Sequence, residues 1–114
     1  MTLSKELVAA STIPLVLSLL DRRDYYGYAL SKRIRELSGD RITWSDGMLY
    51  PVLRRLESQQ LIRSYWRNGE TGRRRRYYRI EEAGRQELRR QRDQWDLVSS
   101  MFEVLSKEER PCST

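Results

Sequence analysis

The chain has no histidine and a single cysteine, Cys112, close to its end. Without imidazole, the commonest general base and the commonest transition-metal ligand are both missing. A lone thiol forms no internal disulfide and suits a reducing compartment. There is no glycine loop to cradle a phosphate and no cluster of carboxylates, and Ser11, Ser18 and Cys112 have no base near them in the sequence. Nothing therefore supports an enzyme, a metal site or a cofactor. Long apolar runs are lacking too. The longest, LVAASTIPLVLSLL at 7–20, is too short to span a bilayer and carries Ser, Thr and Pro. No basic stretch leads into an apolar segment with a small-residue cleavage site, so no signal peptide is legible. The absences leave a cytoplasmic binding protein as the expectation.

What the chain has is concentrated charge. Residues 61–80 hold seven arginines (Arg63, Arg67, Arg73, Arg74, Arg75, Arg76 and Arg79) against one acid, Glu70. That segment accounts for the whole net charge of +6, and the remaining residues sum to zero. A basic feature on a neutral body is the electrostatic footprint of a polyanion binder. A run of arginines is usually a solvated face. Four in a row beside the glycine-bounded loop NGETG, with an aromatic strand following, favour binding instead.

At 114 residues and 39% hydrophobic, the chain is one domain with a thin core, and thin cores are often completed by a second subunit. Residues 3–20 read as a helix that is apolar nearly all round, with a kink or break expected at Pro14. Asp24 is placed to cap the next helix. YGYALSKRIRELSGD reads as that second helix, with an apolar stripe of Ala29, Leu30, Ile34 and Leu37, stopped by Gly39. WSDGMLYPVLRRLESQQLI reads as a third, capped by Ser45. Its Leu49, Val52, Leu53 and Leu56 face the core, and Gly47, Tyr50, Pro51, Arg54 and Ser58 lie opposite. Residues 61–67 and 73–80 read as two strands of a hairpin, with Tyr65 and Trp66 across from Tyr77 and Tyr78. Residues 81–109 read as a long helix in which Leu88, Gln91, Trp95, Val98, Phe102 and Leu105 make a heptad seam, broken only by Gln91.

This order predicts a mainly α protein with a two-stranded β wing (an α+β winged helix-turn-helix) and a C-terminal dimerisation helix. Residues 1–82 would bind DNA, 83–109 would dimerise and 110–114 would be a disordered tail. The second helix of a helix-turn-helix pair reads the major groove. The wing would lie along phosphates or reach the minor groove. Candidate DNA contacts are Lys32, Ser45, Gly47, Tyr50, Arg54, Arg73, Arg74, Arg75 and Arg76. Candidate dimer contacts are Leu88, Trp95, Val98, Phe102 and Leu105. A basic nucleic-acid-binding protein without sequence choice stands as the alternative; it would need the wing but no ordered helix face.

The blocks GYALSKRI, SDGMLYPVLRRLESQQLI and GRRRRYYRIEEAG, which together cover nearly the whole chain in order, closely resemble the PadR family of bacterial transcriptional regulators. The resemblance implies a homodimer held by its first and last helices. It also implies repression at a roughly palindromic operator in double-stranded DNA, with half-sites about one helical turn (~10 bp) apart. Tyr50 would face DNA and the arginines before YYR would form the wing. The short tail resembles the family's small subfamily, and RDQWDLV is similar to its lactococcal multidrug-resistance branch. There, paired tryptophans sandwich flat aromatic drugs in a pore at the dimer interface. Trp95 matches that position, with Leu7, Ala10, Pro14 and Ser18 of the first helix lining the pore and Gln91 and Ser99 beside it. Ser99 stands where that branch has an acid, and Pro14 where it has a branched residue. By pattern alone Trp95 is a large core residue of the heptad seam; Gln91 next to it favours a wet, ligandable interface.

Overall fold

Short polar side chains set two of the four helix starts. In the computed structural model, which describes residues 1–111, the elements run α1 (Lys5–Arg22), β1 (Tyr25–Tyr26), α2 (Gly27–Leu37), α3 (Asp46–Ser58), β2 (Ile62–Asn68), β3 (Arg74–Ile80) and α4 (Glu82–Ser106). Cys112 and the end of the expected tail lie outside the described residues. The Ser4 hydroxyl accepts from the Leu7 amide at 3.1 Å and the Ser45 hydroxyl accepts from the Met48 amide at 3.2 Å. Each satisfies an amide that the first helical turn leaves open. Asp24 does not cap α2. The cap position is held by extended Tyr26 without a side-chain bond. The Asp24 carboxylate instead accepts from the Tyr65 hydroxyl and the Arg79 guanidinium.

No break occurs at Pro14, and α1 is continuous through it, as α3 is through Pro51. A proline within a helix leaves the carbonyl four residues earlier without its amide. Those residues, Ala10 and Gly47, are both exposed, so neither carbonyl is sealed away from solvent. The α2–α3 reversal uses two left-handed residues, Gly39 (φ 59°) and Asp40 (φ 65°). The Asp40 amide donates to the Arg35 carbonyl at 2.9 Å.

The core gathers Val16, Leu17 and Leu20 of α1, Leu30 and Ile34 of α2, and Leu49, Leu53 and Leu56 of α3 against Ile62, Tyr78 and Ile80 of the sheet. The α2 stripe is narrower than its sequence suggests, since Leu37 is 58% exposed. The β2–β3 hairpin is the expected two-stranded wing, and β1 adds a third antiparallel strand beside β3, in the order β1-β3-β2. Tyr25 pairs with Tyr78 and Tyr26 with Tyr77. A two-residue strand shows no period, which is why it escapes a sequence reading. Alternation then sends Tyr25, Ile62, Tyr78 and Ile80 to the core side and Tyr26, Arg63, Tyr65, Arg67, Arg75, Tyr77 and Arg79 to the other.

The α4 helix crosses the start of β2 at Gly84, where a Cβ would strike the Leu61 carbonyl oxygen and come 2.8 Å from Ile80 Cγ1. Leu88 is buried inside the protomer, so it belongs to the protomer core and not to a free dimer seam. Beyond Gln91 every described residue of α4 is exposed. The radius of gyration is 17.7 Å, against about 13 Å for a compact domain of this length. Principal extents of 72 × 30 × 21 Å reflect the projecting helix.

Replacing Gly84 by Ala is expected to destabilise the fold by about 1–3 kcal/mol through overpacking. Gly47→Ala, whose Cβ meets nothing within 4 Å, should be neutral or stabilising. Chemical denaturation midpoints compare the two.

Candidate nucleic-acid interface

A cleft of about 670 Å³ opens between α3, the β1–α2 junction and the loop-proximal half of the hairpin. It brings together Tyr50 and Arg54 of α3 with Arg73, Arg74, Arg75 and Arg76. Lys32 is exposed on α2 and does not line it. Ser45 and Gly47 are exposed at the α3 N-terminus, also outside the lining. The Ser45 hydroxyl oxygen is engaged as a helix cap.

The cleft also contains Tyr26, Gly27 and Tyr28, which the sequence reading passed over, and Trp66 and Tyr78, which it took only as cross-strand aromatic residues. Gly27 is the seat of the Tyr50 ring; a Cβ there would lie 2.8 Å from Tyr50 Cζ. The signal was a glycine between two tyrosines at a helix start, where no left-handed turn calls for it. Close approach is the remaining reason for such a glycine. Tyr78 is buried, and burial pushes its phenol pKa up, against the opposing pull of the nearby Arg76 guanidinium.

The arginine run is met largely within the sheet. Guanidinium carbons lie over ring centroids at 5.2 Å for Arg74 on Trp66, 4.5 Å for Arg75 on Tyr26 and 5.9 Å for Arg76 on Tyr78. On the outer face, Arg67 lies over Tyr77 at 5.1 Å and Arg79 over Tyr65 at 5.5 Å. Such contacts are worth about 0.5–1 kcal/mol each at exposed sites. Arg76 is also paired with Glu57 at 3.1 Å. Among the described residues Arg73, Arg74 and Arg75 have no acidic partner. These three cations are unneutralised at the wing.

Asp24 anchors the outer face. Partial burial disfavours its charge, but hydrogen bonds from Tyr65 and Arg79 outweigh that and hold its pKa below the ordinary value. The same bond from the Tyr65 hydroxyl raises the Tyr65 pKa.

A second cavity, of about 240 Å³, lies between α1 and α4. It joins Pro14, Ser18 and Trp95, but Leu7, Ala10, Gln91 and Ser99 do not line it. Ser11, Leu15, Arg92 and Asp96 do, and the sequence reading missed all four. The Gln91 amide donates to Glu87 Oε1 at 3.0 Å, and is held along the helix. The Arg90 guanidinium and then Gln91 bring the Glu87 pKa down to about 2. Among the described residues no helix is long and apolar enough to cross a membrane, and no group of three or more Cys, Asp or Glu is placed to hold a metal ion.

A helix pair flanked by a basic hairpin is the winged helix-turn-helix arrangement. The family model for the PadR-like transcriptional regulators matches residues 16–90. The chain belongs to that family. A transcriptional regulator from Clostridium thermocellum has the same fold at a TM-score of 0.82 and 31% identity, over 93% of this chain and 100% of that one. A PadR family transcriptional regulator from Eggerthella lenta reaches 38% identity and a TM-score of 0.76, over 91% of this chain and 88% of that one. Transcriptional regulator YqjI of Escherichia coli (strain K12) is 34% identical over 89 residues, which is 78% of this chain but 41% of YqjI. Within this PadR-like chain, the cleft joins α3 to the wing, and the smaller cavity joins α1 to the last helix.

The depressed Asp24 pKa has a pH consequence. A carboxyl whose folded pKa is lowered stabilises the fold above its unfolded value, near 3.8, and loses that contribution as pH falls through the folded value. Acid unfolding should therefore be shallower below pH 4 in Asp24→Asn than in the parent, read by circular dichroism. Identical acid limbs would reject the Asp24 anchor.

Proposed function

We propose that the chain is a dimeric repressor that reads a roughly palindromic operator with α3 and grips phosphates with its wing. The observation that supports this is the shared cleft, which Tyr50 and Arg54 line together with Arg73, Arg74 and Arg75, and none of these three arginines has an acidic partner among the described residues. A reading face next to unneutralised guanidinium groups suits base edges flanked by phosphates. Specific binding means preferring the duplex upstream of this protein's own gene over a shuffled one by about 10³ or more. Equal affinity for both would favour a basic protein without sequence choice.

The dimer follows from α4. Val98, Met101, Phe102 and Leu105 are 44%, 49%, 69% and 63% exposed, an apolar row that a second copy would cover. Trp95 and the α1–α4 cavity lie at the base of that row, so dimerisation would enclose a ligand site there. A flat aromatic molecule held against Trp95 would release DNA if it bound better to a dimer with misplaced wings.

Two measurements test these readings. If each protomer neutralises about four phosphates, the slope of log K against log[salt] on duplex DNA is about −7. Replacing Arg74 and Arg75 by Ala should flatten it to about −4; an unchanged slope rejects the wing as a phosphate binder. Phe102→Glu should sediment as a monomer and lose the quenching of tryptophan emission by a flat aromatic dye. Trp95→Ala, which keeps Trp44 and Trp66, should lose the quenching but remain dimeric. A dimeric Phe102→Glu would sink the interface.

A further inference from the structure

Glu57 lies one turn beyond Arg54 and two beyond Tyr50 on the same side of α3. Its carboxylate faces the wing, not solvent alone. Oε2 accepts from the Ser64 hydroxyl of β2 at 2.6 Å, and Oε1 accepts from the Arg76 guanidinium of β3 at 3.1 Å. One carboxylate thus ties the reading helix to both strands of the hairpin. Arg76 is held from a second side by the Tyr78 ring, 5.9 Å from its guanidinium carbon. Of the four consecutive arginines, it alone has an acidic partner among the described residues.

We propose that Glu57 is an internal stand-in for phosphate, which keeps Arg76 off the DNA and sets the wing against the reading helix. A carboxylate oxygen pair and a phosphate oxygen pair accept from guanidinium with the same geometry, so each can take the place of the other. Arg76 therefore adds nothing to the count of neutralised phosphates. Glu57 restrains sequence-independent affinity and acts on specificity as a positioning residue. This inference rests on the reading that the wing binds phosphates.

The test uses the full chain and a random-sequence duplex of about 20 bp, with anisotropy titrations across salt. Each neutralised phosphate changes the slope by about 0.9. Arg76→Ala should leave the slope at the parent value, while Arg74→Ala flattens it by about 0.9 per protomer. Glu57→Gln should steepen it by about 0.9 per protomer, and should change nothing in an Arg76→Ala background. Thermal melts report whether each variant folds, and the Arg76→Ala arm stands alone if Glu57→Gln does not. Flattening by Arg76→Ala overturns the inference. So does steepening by Glu57→Gln that persists without Arg76, because that is a bulk charge effect. A slope insensitive even to Arg74→Ala sinks the wing reading and this inference with it; the other failures sink the inference alone.

Discussion

Like-charge repulsion inside the β2–β3 hairpin is the constraint around which the sheet is arranged. The register sets Arg63 opposite Arg79 and Arg67 opposite Arg75, and like charges directly across a sheet destabilise it. The compensation is aromatic. Tyr65 and Tyr77 pair between the two arginine rungs with ring centroids 5.9 Å apart, and guanidinium groups cover their faces. Tyr26 joins the same cluster edge-on to Tyr77 at 5.4 Å. The short β1 strand is part of this solution, because pairing with β3 brings Tyr26 under Arg75.

Acids complete the balance, and each comes from a different element. Asp24, ahead of β1, takes Arg79; Glu81, ahead of α4, takes Arg63 at 3.2 Å; Glu57 of α3 takes Arg76. These pairs are partly exposed, so each contributes little to stability. Their effect is geometric. They join the hairpin to the segments that flank it, and the Glu57–Arg76 pair ties α3 to the wing. The cations left over collect toward the hairpin loop, which is where a polyanion would meet them.

The last helix answers a different demand. The α4 helix buries Gly84 and Leu88 in the protomer, pairs Arg85 with Asp21 of α1 at 3.2 Å, and then extends away from the core. A 25-residue helix is about 37 Å long, far more than this small core can cover. Its exposed apolar row and the adjoining cavity are two results of the same shortage of body. The homodimer proposed above would cover this row with the same row of a second copy.

Much of this was legible from residue order. The Leu49, Val52, Leu53 and Leu56 spacing placed α3 and its inner side, Ser45 marked its start, and the charge count located the wing. The heptad spacing of α4 marked its apolar side, though it assigned Leu88 to the wrong partner. Spacing along one helix shows which residues share a face but not which of them the protomer itself covers. Reading Asp24 as a cap and reading Tyr25 and Tyr26 as part of no strand failed for related reasons. Each judged a residue by its chain neighbours, while Asp24 is engaged by Tyr65 and Arg79, and Tyr25 and Tyr26 become a strand only because β3 lies beside them. The sequence by itself determined the class of fold, the inner side of α3 and the sign of the wing, because periodicity and charge are local properties. Only the tertiary structure decided which arginines of the wing have an acidic partner, what Gly27 and Glu57 touch, and which side chains meet Trp95, because these depend on elements far apart in the chain being folded into contact.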